Sequence, residues 1–548
     1  MVLKVLLLLI SISFFLLAGF VTGGKGEIWL FVTKFFALFI SLLSLTVFFI
    51  KSQRFQEFLE ERMVKKIIVI LFSIGSILFL VMGFLLHGED GEYVAETALD
   101  SISYFIQAKI FSTGHINFPS HELKEFFSTG YFINDGKYFS KYFLGWPLIL
   151  SIGMILEVPW IINPLFGLLT LIIIYFIGRE IYDRNTGLFG AVLLLFSFNF
   201  YILTPTYMSE PSSLFFSSLF FYLMVRTLKE PKILTLLLAG LSLGITFLIR
   251  PVSALAISLP IIIYLFFSFI KNKKPLLPFI VIVLTFLPAL FVFFMYNYFQ
   301  TGSIFLNPMQ YYNPSDTIGF GLRSMDIFLK ERFYTPLDGL KNMSINLTIL
   351  NWESVLFLFI FLSFTLINKK NKWDILLFAT LFTIIFLHMF YFVRSIRYYY
   401  PAFFALFLLA ARGINLSEIS FAKIFPKRPI KNLNHFFLLF IVVANIFIII
   451  SPKRVLQRYE LYEQLRDPFT LVKKNNLSNS VVFLKTVPER YNNISYYVQN
   501  PLDFTGDVLF VKDLKEENIK LMEYYPEKEF YIYEFDRKSK LGKLTRLK

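Results

Sequence analysis

"PLLPFIVIVLTFLPALFVFFMY", residues 275–296, contains no charged side chain. A helix rises about 1.5 Å per residue, so this run alone can cross a bilayer core of roughly 30 Å. Lys271, Lys273 and Lys274 precede it, and a polar stretch opens at Asn297 after it. Comparable runs recur along the chain. Candidate spans are 4–22, 28–50, 66–87, 158–178, 188–205, 211–226, 233–250, 252–270, 275–296, 353–368, 374–393, 400–412 and 434–451. The composition agrees: 56% of the 548 residues are hydrophobic and 17% are charged, against about 25% charged in a soluble domain. The runs are continuous rather than alternating, which excludes a membrane β-barrel. The expected fold is therefore mainly α, a polytopic transmembrane helical bundle of about 13 spans.

The formal charge of +15 would suggest nucleic acid in a soluble protein. Here the cations sit in short loops between spans, the positive-inside pattern, so no nucleic-acid partner is expected and membrane lipids are. The loops are KSQRFQEFLEERMVKK (51–66), GREIYDR (178–184), RTLKEPK (226–232), KNKK (271–274), NKKNK (368–372) and the stretch 412–431. If all are cytoplasmic, the spans alternate without contradiction. The N-terminus is then cytoplasmic, its first apolar stretch being too long for a signal peptide and read as a retained helix. With no cysteine in the chain, disulfides and thiolate metal sites are excluded.

The same threading divides the chain. Residues 1–87 carry the first helices, and 88–157 form an outer loop with interfacial helices. Residues 158–451 form the helical core, including a second outer loop, 297–352. The tail, 452–548, is polar. Its strand-like runs SVVFLKTV and EFYIYEF indicate a small extracytoplasmic α/β domain. LGWPLILSIGMILE (144–157) is apolar but too short to span and fits an interfacial segment. The whole is expected to be a multi-pass protein of the cell membrane.

The first outer loop concentrates ionisable groups: Glu89, Asp90, Glu92, Glu96, Asp100, His115, His121, Glu122, Glu125, Lys137 and Lys141. Within it, TALDSISYFIQAKIFSTG is amphipathic at helical spacing, which predicts a helix lying in the membrane interface. Two readings stand for Asp100. It favours the positive end of that helix, or it is a reactive carboxylate. His115, His121 and Glu122 could bind a metal only with help from elsewhere in the fold. His388 reads as a packed span residue and His87 as a helix end. Sequons at Asn342, Asn346, Asn476 and Asn493 are compatible with glycosylation. Walker A, HExxH and GxSxG patterns are absent from the sequence.

The order of several motifs adds a resemblance. Asp100, Tyr104, Gln107 and Gly114 set the pattern D-x3-Y-x2-QA-x-IF-x2-G, continued by KYFLGWPLILSIG (141–153). YMSEPSSLFFSSLFFYL (207–223), GLSLGITFLIRPVSALAISLP (240–260), NYFQTGSIFLNPMQYYNPSDTIGFG (297–321) and RYYYPAFFALFLLAARGI (397–414) follow. Together they resemble the glycosyltransferase-C superfamily, in the branch of protein O-mannosyltransferases and lipid A aminoarabinose transferases. The resemblance implies that Asp100 is the catalytic base. Ser101 follows it where relatives often carry a second acid. It implies that Glu210, with Tyr104 and Gln107, positions substrate or a metal, and that Lys141, Arg250 and Arg397 bind the donor phosphate. Helix-end placement for Glu210 and snorkelling for the arginines are the plainer readings of the residues themselves. A divalent metal ion shared by Asp100 and Glu210 is compatible with the resemblance. Ser140, where relatives have an acid before the lysine, weakens it, and no other cofactor is implied.

An outer-face site has no nucleotide sugar to draw on. The resemblance therefore implies an inverting glycosyltransferase, moving a hexose or pentose from a polyprenyl-phosphate carrier to an acceptor protein, lipid or glycan. The alternatives are a lipid-linked oligosaccharide flippase or other transporter, and a polysaccharide polymerase or O-antigen ligase. A transporter would place its charges near the membrane midplane, whereas the charges here fall at the outer surface.

Overall fold

Proline and small polar residues set the helix boundaries that shape the bundle. The computed structural model describes residues 99–547, apart from 129, 273–276, 325–329, 355–357, 425–430, 447–463, 486 and 488–493, and also a helical stretch within 66–81. The candidate spans 4–22 and 28–50, the basic loop 51–65, His87, the acids Glu89 to Glu96 and the sequon at Asn493 lie outside the described residues.

The first outer loop opens with α1 (Leu99–Ser112). A small antiparallel sheet follows, ordered β1 (Phe118–Pro119), β3 (Lys137–Ser140), β2 (Phe132–Asp135). Gly136, at φ +70°, makes the tight turn between β2 and β3, a conformation open to glycine without cost. Next comes α2 (Gly145–Ile155). Its Trp146 and Leu150 are buried while Leu148, Ile152 and Ile155 are exposed, the split expected of a helix laid on a membrane surface. The α1 helix is enclosed by protein on nearly every side. Nearly all of its residues from Ser101 to Ile110 are buried, because it packs against α2, β3 and the C-terminal tail.

The core follows as α3 (Ile162–Ile181), α4 (Arg184–Leu195), α5 (Phe198–Leu203), α6 (Glu210–Lys229), α7 (Ile233–Ile249), α8 (Pro251–Asn272) and α9 (Leu277–Thr301). Within the second outer loop β4 (Gly321–Arg323) pairs antiparallel with β5 (Arg332–Tyr334), and α10 (Pro336–Glu353) closes the loop; α11 (Leu358–Ile367), α12 (Lys372–Met389), a 3-10 turn Ile396–Ala402, α13 (Phe403–Ile424) and α14 (Leu433–Ala444) follow. Caps explain several starts. Asp183 accepts from the Thr186 N–H at the head of α4, and Asn371 with Asp374 forms a capping box on α12.

Among the described residues, five helices are long and apolar enough to cross a membrane: 159–181, 251–271, 277–301, 372–389 and 396–423. The span expected at 188–205 is instead two helices, α4 and α5, broken at Ser197, whose hydroxyl bonds the Leu194 carbonyl. Helix α13 runs on to Ile424, well past the expected end at 412. Within the described chain, 78% of the apolar window in 396–423 is buried against 11% in 277–301. Among the described residues the former is the centre of the bundle and the latter lies on its outside.

Helices approach closely where side chains are small. A Cβ on Gly187 would stand 2.3 Å from the Tyr175 carbonyl oxygen, so α3 and α4 touch backbone to backbone there. On α6, Ser212, Ser213, Ser217 and Ser218 are all buried, and the helix packs on α3 and α7. The two ends of α6 differ in charge. Glu210 begins it, and Arg226 and Lys229 end it by pairing with Glu180 at 3.2 and 2.9 Å. The loops GREIYDR and RTLKEPK therefore meet at one end of the bundle, about 30 Å from Glu210.

In the tail, β6 (Ser480–Leu484) lies between β7 (Val508–Lys512) and β8 (Glu529–Asp536), parallel to both. β9 (Leu541–Arg546) runs antiparallel along β8. Both strand-like runs of the sequence are thus strands. All five residues of β6 are buried, as suits a central parallel strand covered on both faces. Leu465, Phe469 and Tyr496 cover one face. The other is covered by Phe126 and Phe127 of the first outer loop.

Candidate active site

Four residues far apart in sequence meet at the end of the bundle opposite Glu180. Asp100 comes from the first turn of α1, Glu210 from the first turn of α6, Arg250 from the C-terminal cap of α7 and Arg397 from the 3-10 turn before α13. Arg397 Nη2 lies 2.9 Å from Asp100 Oδ2, and its Nε 3.8 Å from Glu210 Oε1. Arg250 Nη2 lies 2.7 Å from the same Glu210 oxygen. Glu210 is fully buried, and its Oε2 has no hydrogen-bond partner among the described residues. Arg250 Nε donates to Ser209 Oγ at 3.0 Å, and Ser209 donates to the Tyr104 hydroxyl at 3.1 Å.

Local packing aims these groups. A Cβ on Gly145 would stand 2.4 Å from the Leu248 carbonyl carbon, so only glycine lets α2 abut the backbone that delivers Arg250. Trp146 Nε1 donates to the Tyr207 carbonyl at 2.7 Å, and the Asn163 amide donates to those of Thr206 and Met208. These bonds pin the segment that ends in Ser209 and Glu210.

A second pair lies alongside. Lys141, buried, places Nζ 3.4 Å from Asp316 Oδ2 and 3.9 Å from the centroid of the Tyr131 ring. Tyr391 donates to Asp316 Oδ1 at 2.7 Å. Tyr142, next to Lys141, donates to Asp100 Oδ1, and its ring lies 4.6 Å from that of Tyr104. The sequence reading did not single out Asp316, Tyr142, Ser209 or Tyr391, although Asp316 lies inside the motif NPSDTIGFG. The candidate Gln107 sits elsewhere. Its amide donates to the Ile116 carbonyl and its oxygen accepts from the Ser140 N–H, so it braces α1 against β3.

The charges balance: Asp100, Glu210 and Asp316 against Lys141, Arg250 and Arg397. Burial pushes the Asp100 carboxyl up, but the Arg397 guanidinium and the Tyr142 hydroxyl more than offset this and hold it below the usual carboxylate range. Asp100 is ionised at neutral pH. Asp316 goes the other way, raised by burial despite Lys141 and Tyr391. Such opposed environments for neighbouring carboxylates are common where proton transfer occurs.

The arrangement is a poor fit for a divalent cation. A guanidinium already reaches both Asp100 and Glu210, and no group of three or more metal-binding side chains occurs among the described residues. His121, weighed above as a ligand, is committed elsewhere. Its Nδ1 accepts from the Leu123 N–H at 2.9 Å, so Nε2 carries the proton and faces the Tyr525 hydroxyl at 2.9 Å. His388 is packed as expected, with Nδ1 2.8 Å from the Ile384 carbonyl and its ring stacked on Tyr398. Two sequons are turned inward: Asn346 is buried against Tyr399, and the Asn342 amide donates to the Phe392 carbonyl at 3.2 Å.

His121 gives a pH test of how the tail is held. Burial lowers its affinity for a proton below the ordinary value, with Glu122 opposing. The unfastened form then binds protons more readily than the fastened one. Fastening is full above about pH 6.5 and is lost as pH falls through the lowered value. Hydrogen exchange at residues 121–127 and 504, corrected for intrinsic pH effects, is expected to accelerate below about pH 6. His121→Asn should abolish that dependence.

Comparison with known proteins bears on the whole arrangement. Residues 148–292 match the family described as dolichyl-phosphate-mannose-protein mannosyltransferase, a stretch that includes Glu210 and Arg250. Searching curated proteins gives no match. Among solved structures, ArnT from Cupriavidus metallidurans bound to undecaprenyl phosphate is similar with a TM-score of 0.52 at 10% identity, over 83% of this chain and 92% of that one. Its apo form gives 0.50 at 9%, over 82% and 88%. At such identity the likeness speaks for the fold alone. The fold is similar to that of these solved structures, and the long apolar helices mark the chain as a membrane protein.

Proposed function

We propose that this chain is an inverting glycosyltransferase of the glycosyltransferase-C superfamily that moves a sugar from a polyprenyl-phosphate carrier to an acceptor on the outer face of the membrane. One observation carries the reading. Asp100, Glu210, Arg250 and Arg397, singled out from separate motifs, converge on one partly buried ion cluster beside Lys141. Its place at helix ends, away from the middle of the bundle, speaks against a transporter, which would hold its charges near the midplane. In this reading the N-terminus is cytoplasmic and the tail extracytoplasmic.

The residues allow a simple sequence. The donor phosphate competes with carboxylates for Arg397, Arg250 and Lys141, because guanidinium grips phosphate with paired hydrogen bonds. When Arg397 turns to phosphate, Asp100 loses its nearest positive charge and becomes a stronger base. Asp100 then takes the proton from the acceptor hydroxyl. The acceptor oxygen bonds the anomeric carbon from the face opposite the carrier. The bond from that carbon to the phosphate oxygen breaks, and its electron pair stays on the phosphate, where the three cations stabilise it. The products are the glycosylated acceptor and the free polyprenyl phosphate. Glu210 and Tyr104 position Arg250 and the sugar.

The test is a product analysis. Purified protein given a polyprenyl-phosphate hexose of known anomeric configuration should release polyprenyl phosphate. Nuclear magnetic resonance should show the opposite configuration in the product. Retained configuration, or movement of the intact carrier without bond exchange, would refute the proposal.

A further inference from the structure

We propose that the second outer loop holds an anion-binding site for a phosphate group carried on an outer-leaflet lipid headgroup, separate from the ion cluster around Asp100. A cavity of about 390 Å³ lies there, lined by Arg332, Lys341 and Arg394 with Asp338, Asn342 and Tyr334. Three cations therefore face a single acid. That acid is already committed: Asp338 Oδ2 accepts from the Thr335 N–H and hydroxyl, and Oδ1 lies 3.3 Å from Arg332. Lys341 and Arg394 form no ion pair within contact distance among the described residues. The cavity carries two uncompensated positive charges.

Its neutral walls are fixed. Tyr334 donates to the Met389 carbonyl at 2.9 Å, and the Asn342 amide is held by the Phe392 carbonyl. A cavity with rigid walls and surplus cations suits a compact dianion or monoanion such as a phosphate ester. Its rim indicates where that ester comes from. Phe333, Leu337 and Leu340 are exposed at 64%, 74% and 49%, beside Arg332 and Lys341 in sequence. Apolar side chains interleaved with cations are the pattern of protein surface at lipid-headgroup depth. The loop also carries Asp316, the partner of Lys141, which puts the cavity on the side of the candidate active site. Arg394 stands three residues before Arg397 in the segment that joins the two.

The inference does not depend on transfer chemistry. The full chain would be reconstituted in nanodiscs of phosphatidylcholine containing a minor fraction of phosphatidylglycerol. Bound lipid would be read by native mass spectrometry. Lys341→Gln with Arg394→Gln should lower retained phosphatidylglycerol about tenfold, since each cation near the surface contributes measurably to anionic lipid binding. Lys520→Gln, on the tail, should leave it unchanged. Melting temperature and retention of a polyprenyl-phosphate donor should be the same in both variants, which separates failure of this site from failure of the site around Asp100. Equal phosphatidylglycerol retention in wild type and the double variant would overturn the proposal. So would displacement of the lipid by inorganic phosphate at matched concentration, which would assign the cavity to a soluble phosphate.

Discussion

Asp100→Asn should lower sugar transfer by about 10²–10⁴-fold, the range for loss of a positioned general base, with insertion and folding intact. Asparagine keeps the shape of the side chain and can still meet Tyr142 and Arg397, so packing is preserved. What it cannot do is take a proton. The pH profile separates this role from a structural one. In the wild type, Arg397 and Tyr142 hold the Asp100 carboxyl below the usual range, so activity should persist to moderately acid pH and fall only when that carboxylate protonates. Residual activity of the asparagine variant should show no such acid limb. Unchanged transfer by the variant, assayed by release of radiolabelled sugar from the lipid carrier, would remove the mechanism.

The second large effect concerns stability. Glu210→Ala and Arg250→Ala should each cost about 3–5 kcal/mol, because each leaves a partner charge buried or nearly so without its nearest counter-ion. The pair at 2.7 Å is enclosed, Glu210 almost wholly and Arg250 largely, with side-chain exposures of 1% and 16%. Replacing both together, Glu210→Met with Arg250→Met, should cost far less than the sum, since two apolar groups need no counter-charge. Thermal unfolding in detergent would read all three. Additive losses would mean that the two side chains do not act as a pair. Activity should vanish where Arg250 is replaced, because part of the phosphate grip is lost even where the fold survives, and should fall in Glu210→Ala, where Arg250 loses the carboxylate that positions it.

Much of the fold was legible because a bilayer imposes a length and an apolar character on each span. The runs 211–226, 233–250, 252–270 and 275–296 differ from the helices by only a few residues at most ends. Misreadings came where composition hides geometry. The residues 188–205 are mostly apolar, yet a serine hydroxyl bonding back to its own helix helps end α4. The chain before 358 is polar, yet a proline and a capping box start α10 at Pro336. The amphipathic pattern of α1 was real, but its polar face meets protein rather than water. There Ser103 bonds Ser140 and Gln107 bonds the β3 backbone.

The site was legible in part for a different reason. Acids and arginines at the outer ends of spans are costly, so they stand out from an apolar background. That drew attention to Asp100, Glu210, Arg250 and Arg397, and the motif order did the rest. Asp316 and Tyr142 carried no such mark. An aspartate in a polar loop and a tyrosine in a chain with 29 of them look ordinary until folding brings one to Lys141 and the other to Asp100.

Helix α1 is shared property. Asp100 stands at its head, and near its foot Lys109 Nζ reaches across to the carbonyls of Val498 and Asn500 at 3.1 and 3.0 Å. Two turns of helix thus join the proposed base to the tail, and Phe126 and Phe127 bury themselves in the tail's sheet as well. Cutting the chain after the last span would bare two phenylalanines and release the lower end of the helix that carries Asp100. A shortened protein that loses activity would therefore say nothing about acceptor choice, and only substitutions on the tail's outer surface can ask what the tail recognises.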